Sequence, residues 1–340
     1  MMGIANVKEI WRVLKDANLE AIRREAERAF QVLIVSEAEG DAEALAVLLT
    51  GESDGSRHPW LLVERSAAAP RAAASALVDL AVLVLRHSDA PDTLAALQRS
   101  LQNAKLPTVV VVSGVTSRTA AIVRAGEAGR VAVAALDSDA VGTIATALLA
   151  AVAPTARLAL ARHLPPLRDA VFHQIIDETA RANASYALAT GLAEIVPVFD
   201  LPLNLADIVV LTKNQLVMSY RLALAAGKTG SARDLIGEVL GVIGGGFLFR
   251  QASRQLIGLI PGAGIVPKVA IAYAGTWAVG RAVAAWAVEG KRLSRRAVQS
   301  FYKEAWQGAR AFAEGMVEGA KKSRPARRLF RRRATKDDEA

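Results

Sequence analysis

Four carboxylates follow the first strongly apolar run of the chain. Val32-Leu33-Ile34-Val35 is bounded by polar residues, and Glu37, Glu39, Asp41 and Glu43 come directly after it. Where a parallel strand turns into a helix, backbone N–H groups and a helix N-terminus point outward together, and open α/β sheets bind phosphate there. A phosphate loop of the form GxxxxGKS/T needs glycine for close backbone approach, lysine for the phosphates and a hydroxyl for magnesium. Laid after this run, its first glycine falls on Ser36, the second on Asp41, the lysine on Ala42 and the hydroxyl on Glu43. Like charges a few ångströms apart repel by about 1 kcal/mol or more each, even at high dielectric, so four carboxylates in the loop between strand and helix oppose a triphosphate. The same carboxylates could hold a hard cation or simply solvate a surface. Solvation accounts for them without a ligand, and no metal site is assigned.

The other chemistry-bearing residues are sparse. No cysteine is present, which excludes disulfides, thiolate nucleophiles and cysteine-ligated metals, and there are only four histidines. His173 and Asp177 stand one helical turn apart without further ligands near in sequence, as in an ordinary surface or core pair. Ala226-Gly227-Lys228-Thr229 imitates the end of a phosphate loop. It lacks a preceding strand, Leu222 takes the first glycine position, and Gly227 suits a helix C-terminus. No GxSxG elbow occurs. Asp200, Asn204, Asp207 and Asn214 fall at helical spacings and form a polar stripe on an apolar helix. Two alternatives stand for it: an N-cap at Asp200 before Pro202 with satisfied polar residues beyond, or a ligand or partner contact. No catalytic residue and no cofactor is assigned.

The elements that position these residues alternate and then change class. Helical spacing of Ile4, Val7, Ile10, Trp11, Leu14 and Ile22 predicts an amphipathic helix over 4–29. Short β-rich runs follow at 32–35, 60–63, 80–85 and 108–112, with a weaker one at 131–134. Helix-like segments at 43–50, 93–103 and 117–127 lie among them, which predicts βαβ units and a doubly wound parallel sheet. From about 155 the β signals end. The rest is Gly- and Ala-rich helix punctuated by Pro165-Pro166, Pro197, Gly244-Gly245-Gly246 and Pro261-Gly262. The organisation expected is a helix at 1–29, an α/β domain at 30–154, a helical domain at 155–320 and a basic tail at 321–340.

Across roughly 31–153 the chain resembles the Era-like family of small GTPases, although the residues by which that family holds its nucleotide are replaced. Ala44-Leu45 and Leu48-Leu49-Thr50-Gly51 stand where the family has TLLNALLG, and Asp79 to Arg86 looks like its DLVLFVVD strand. Glu64-Arg65-Ser66-Ala67 replaces the DTPG segment that contacts magnesium and the γ-phosphate. The guanine-reading NKxD aligns with Ser113, Gly114, Val115 and Thr116, and Val131 to Asp137 resembles the strand and loop that follow. The resemblance implies a degenerate GTPase-like fold, a pseudo-GTPase. Residues 164–187, 207–215, 238–264 and 271–291 resemble a bacterial helical domain of unknown function that often follows Era-like GTPase domains. That likeness implies architecture and no reaction.

Charge is concentrated at one end. The chain has 340 residues and a net charge of +9, of which nine bases against three acids leave +6 in the last twenty positions and +3 in the rest. Arg327, Arg328, Arg331, Arg332 and Arg333 in that tail are candidate contacts to anionic lipid, each basic residue worth about 1 kcal/mol near such a surface. Only Leu329 and Phe330 interrupt the bases, so the interleaved aromatics that stack nucleic-acid bases are missing. The first twenty residues mix acids and bases without an apolar centre, so no secretory signal is expected. The longest charge-free run, 140–156, falls short of the ~20 apolar residues of a span. Residues 235–288 are apolar enough to keep membrane contact open, and Pro261-Gly262-Ala263-Gly264 would turn an apolar helical hairpin. The expectation is a cytoplasmic, non-catalytic scaffold or binding protein, peripheral at the inner membrane, with a protein partner such as a true GTPase. The alternative is a residual GTP-binding protein with atypical contacts.

Overall fold

The computed structural model describes residues 11–12, 14–64, 78–86, 99, 101, 103, 105–115, 129–193, 203–243, 265–290 and 294–322. They form two compact units, one from Leu19–Gln174 with Ala223–Thr229, the other from the described parts of Met1–Asn18, Ile175–Leu222 and Gly230–Ala340.

The first unit is built on β1 (Gln31–Val35), β2 (Leu61–Glu64), β3 (Val78–Arg86), β4 (Thr108–Ser113) and β5 (Arg130–Ala132). The strand order is β2-β1-β3-β4-β5 and every pairing is parallel. The reason is visible in composition: β1, β3 and β4 are almost all Val, Ile, Leu and Ala, and strands buried on both faces are the ones that parallel sheets require. One core cluster joins Leu33, Val35, Ala81, Leu83, Leu101, Leu106 and Val110. Full burial of each such Leu or Val stabilises the fold by about 1.5–3 kcal/mol. The helices of this unit are α1 (Leu19–Glu27), α2 (Glu39–Thr50), α3 (Val141–Ala151) and α4 (Arg157–His163). The order places the reversal of chain direction between β1 and β3, where doubly wound sheets open a crevice at the carboxyl ends of the strands.

Two expectations are corrected here. The single helix over 4–29 is broken: the chain turns at 15–18 and α1 starts at Leu19. Asp16 and Asn18 lie in that turn, and both residue types favour local side-chain bonds over a helical ladder. The helix expected over 43–50 begins four residues earlier, at Glu39. The segments 93–103 and 117–127 lie largely or wholly outside the described residues, as do Glu64's neighbours 65–67.

The Ala226–Thr229 sequence is a helix terminus, as the glycine suggests. Gly227 has φ +90°, its N–H donates to the Leu224 carbonyl at 3.0 Å, and the Lys228 N–H donates to the Ala223 carbonyl at 3.0 Å. This is a Schellman closure, with glycine in the left-handed position. Arg162 adds a guanidinium to the same end, donating to the carbonyls of Leu224 at 2.9 Å and Lys228 at 3.1 Å.

The second unit is helical. It draws on α5 (Arg168–Ala193) and α6 (Leu203–Ala225), whose outermost turns belong to the first unit, and on α7 (Ala232–Ile243), α8 (Ile265–Glu289) and α9 (Arg295–Lys322). α8 is apolar on nearly every side and is correspondingly buried. Ala305, Ala309, Ala313 and Val317 repeat every four residues on α9 and pack with Val269, Ala270 and Ala274 of α8. Small residues at that period let the two helices approach closely. Among the described residues no helix is long and apolar enough to cross a membrane. The hairpin expected at 261–264 lies outside them.

Candidate functional site

The carboxyl ends of β3 and β4, the residues after β5 and the first turns of α2 enclose a cleft of about 580 Å³. Its lining is Asp41, Ala44, Arg86, Ser113, Gly114, Ala134, Ala135 and Leu136. The parallel register pairs Arg86 with Ser113, which brings the last residues of two strands to one rim.

The turn from β1 into α2 is short. Only residues 36–38 separate strand and helix, and Ser36 closes them by accepting from the Ala38 N–H at 3.2 Å and donating to the Ala38 carbonyl at 3.0 Å. A phosphate loop of the usual length has no room. Ala42, at the position of the phosphate-binding lysine, is a buried core residue. Glu39, Asp41 and Glu43 therefore lie in the first turns of the helix and not in a loop, which corrects the expectation of four loop carboxylates. Physically they suit that place, because negative side chains are favoured at the positive end of a helix dipole.

Asp41 is also paired. Arg86, from the end of β3, donates through Nε to Asp41 Oδ2 at 2.7 Å and through Nη2 to Oδ1 at 3.1 Å. The carboxylate is mostly shielded (18% exposed) and the guanidinium is 56% exposed. A two-pronged pair of this kind holds its geometry better than a lysine contact would. It occupies the end of α2 at which an incoming phosphate would sit. Glu37 and Glu43 are exposed.

The positions that align with the guanine-reading motif are engaged in backbone work. Ser113 is buried and its hydroxyl donates to the Leu85 carbonyl at 3.2 Å. Gly114 has φ +76°, a conformation that disfavours any side chain, and its N–H donates to the Ala134 carbonyl at 3.1 Å. Val115 continues the pairing to Val133 at 3.2 Å. Thr116 lies outside the described residues. Comparison with family models, curated proteins and solved structures finds no match to this chain.

In the helical unit the polar stripe resolves in part. Asp200 lies outside the described residues, and so do the side chains of Asn204 and Asp207 in α6. Asn214 is engaged in a polar network. Its Nδ2 donates to Asn183 Oδ1 at 2.7 Å, and Asn183 Nδ2 donates to Thr276 Oγ1 at 2.8 Å. Gln215 Nε2 donates to the same hydroxyl at 3.1 Å, and Thr276 itself donates to the Ala272 carbonyl at 2.8 Å. Asn183 and Thr276 are wholly buried, so this network ties α5, α6 and α8 together through bonds made away from water. Asp177 accepts from Arg181 Nε at 2.6 Å and from the Tyr273 hydroxyl at 2.7 Å, while His173 is exposed. Burial first, then the bond to Asp177, pushes the Tyr273 hydroxyl up to about 12, so it is a permanent donor. Among the described residues no cluster of three or more His, Cys, Asp or Glu can hold a metal. Arg327, Arg328, Arg331, Arg332 and Arg333 lie outside the described residues.

Arg86, Asn183, Gln215 and Thr276 carry these arrangements, and none of them stands out in the sequence as a site residue. Arg86 had a signal: it stands where the resembled strand ends in aspartate, so it and Asp41 are two departures of opposite charge.

Proposed function

We propose that this chain is a pseudo-GTPase: a non-catalytic scaffold or binding protein whose α/β unit keeps a GTPase-like sheet but not the residues that grip a nucleotide. The observation that carries the reading is the Arg86–Asp41 pair across the first turn of α2, with Ala42 buried at the lysine position. The short turn at 36–38 supports it, since it offers no row of N–H groups for a β- or γ-phosphate. With that end of the sheet filled by the chain's own charges, the surface around the cleft is free to serve protein contacts, a true GTPase among the candidates. A titration of the full chain with a fluorescent GTP analogue and Mg²⁺ tests this. No saturable signal in the low micromolar range is expected; saturation there overturns the proposal. The second reading, residual GTP binding by atypical contacts, has one observation in its favour, the 580 Å³ cleft beside Ser113 and Gly114. The same titration decides between the two.

The reading extends to a place of action at the cytoplasmic face of a membrane, supported by the +6 charge of the last twenty residues. Polybasic segments bind anionic lipid electrostatically and release it as salt screens the charges. The full chain is expected to co-float with phosphatidylserine vesicles at low salt and to dissociate at high salt. Absence from the floated fraction at low salt removes the membrane from the proposal.

A further inference from the structure

The last residue of α4, His163, joins three segments of the α/β unit. Its ring lies against the indole of Trp60, centroid to centroid 4.0 Å with the planes tilted by 32°. Its Nε2 is 3.1 Å from the carbonyl oxygen of Arg28, at the end of α1. A carbonyl only accepts, so Nε2 carries a proton and the second proton of an imidazolium would go to Nδ1. Trp60 in turn begins the pairing of the edge strand: its carbonyl accepts from the Val32 N–H at 2.9 Å, directly before β2 runs alongside β1. The Trp60 N–H points to His58 Nδ1 at 3.4 Å.

The groups whose charge acts on His163 are basic. On its own helix stands Arg162, and Arg168 closes the same helix end by donating to the carbonyls of Ala161 at 3.0 Å and Arg162 at 3.4 Å. From the α1 side comes Arg28, whose guanidinium is already engaged with Asp79 of β3. From the turn before β2 comes His58, with Glu52 facing its far nitrogen at 3.9 Å. Asp79 and Glu52 thus face other partners. Burial, and then the neighbouring Arg162 and His58, hold the His163 imidazole below its ordinary value of 6.5 despite the favourable bond to Arg28.

We propose that His163 is an acid-sensitive latch on the edge of the sheet: neutral, it clamps Trp60 and with it the turn at 52–60 and strand β2; protonated, it lets that segment open. The folded form binds this proton more weakly than the unfolded or opened form. The latch therefore holds fully above pH 6.5 and weakens as the pH falls below that value. The unit it acts on is the sheet whose function is proposed above, yet the inference needs only the contacts of His163.

Hydrogen exchange of the full chain, measured from pH 8 to 5 and corrected for the intrinsic pH dependence of exchange, tests it. Peptides covering 52–64 should lose protection by about tenfold for each pH unit between 6.5 and the native pKa, while β3 and β4 keep theirs. In His163→Gln, whose amide retains a donor for the Arg28 carbonyl, the loss should vanish. An equal loss in His163→Gln overturns the proposal, as does a uniform loss across the sheet. So does an NMR titration of the unaltered chain in which the His163 ring, identified by its contact with Trp60, titrates at or above 6.5.

Discussion

Replacing Asn183 by leucine is expected to destabilise the helical unit by about 3 kcal/mol, although leucine is the better helix former and the site is wholly buried. Two hydrogen bonds disappear, one from Asn214 Nδ2 and one to Thr276 Oγ1. Each is worth about 1 kcal/mol net, and the amide of Asn214, left without its acceptor in a half-buried place, adds a desolvation penalty of about 1–3 kcal/mol. Leucine recovers part of this by apolar burial. Urea denaturation of the full chain followed by circular dichroism would show the helical transition moved to lower denaturant. A shift below about 0.5 kcal/mol would show that the network contributes nothing beyond its shape. Joint replacement of Asn183, Asn214, Gln215 and Thr276 by apolar residues of similar size separates the alternatives. If orphaned groups cause the loss, the fourfold variant recovers most of it, because no unpaired donor or acceptor then remains.

The sheet was legible because its strands leave little choice. Five short runs rich in Val, Leu and Ile are each too short for an amphipathic helix, and all five appear within two residues of their expected bounds. The N-terminal helix misled because its apolar spacing continues past Asp16 and Asn18, and periodicity says nothing about where a turn interrupts it. The start of α2 misled for a related reason. Glu39, Gly40 and Asp41 look like a loop by composition, yet acidic residues in a first helical turn are stabilised by the backbone itself. The candidate site divided in the same way. That Ser36, Asp41, Ala42 and Glu43 are not the residue types of a phosphate loop is legible in the sequence alone. That Asp41 meets Arg86, forty-five residues on, depends on the register of β1 with β3, which no local pattern contains. Asn183 and Thr276 were invisible for a stronger reason: Thr276 sits alone in an apolar stretch and Asn183 is one polar residue among several, and only the crossing of α5, α6 and α8 makes a network of them.

The two arginines that close helix ends in the α/β unit illustrate the same economy of charge. Arg162 and Arg168 each donate to backbone carbonyls at a helix end, and among the described residues neither is paired with a carboxylate. Arg162 also stands beside His163 and, with His58, opposes a proton on its ring. The acid sensitivity proposed for the latch therefore arises first from the burial of the ring, then from where its basic neighbours stand, and not from net charge.

Two glycines five residues apart on α8 should respond in opposite directions to the same substitution. At Gly275 an added Cβ meets nothing within 4 Å, so Gly275→Ala is expected to stabilise by up to about 1 kcal/mol through helix propensity and a less flexible unfolded chain. At Gly280 an added Cβ would stand 2.5 Å from Ile176 Cγ1, 2.9 Å from Cγ2 and 3.1 Å from Cδ1, and Ile176 is wholly buried on α5. The branch point of that side chain cannot turn away as a flexible tip would, so the helices must separate. Overpacking of this kind costs about 1–3 kcal/mol and outweighs the propensity gain of about 1 kcal/mol. Denaturation midpoints of the two single variants give the signs directly. A double-mutant cycle with Ile176→Ala supplies the mechanism: that truncation alone opens a cavity and costs about 2–5 kcal/mol. In the Gly280→Ala background it should cost less, since the new methyl group fills part of the space and its own clash is relieved. Equal effects of Gly275→Ala and Gly280→Ala, or strict additivity in the cycle, would show that α5 and α8 are not held at the distance Gly280 allows.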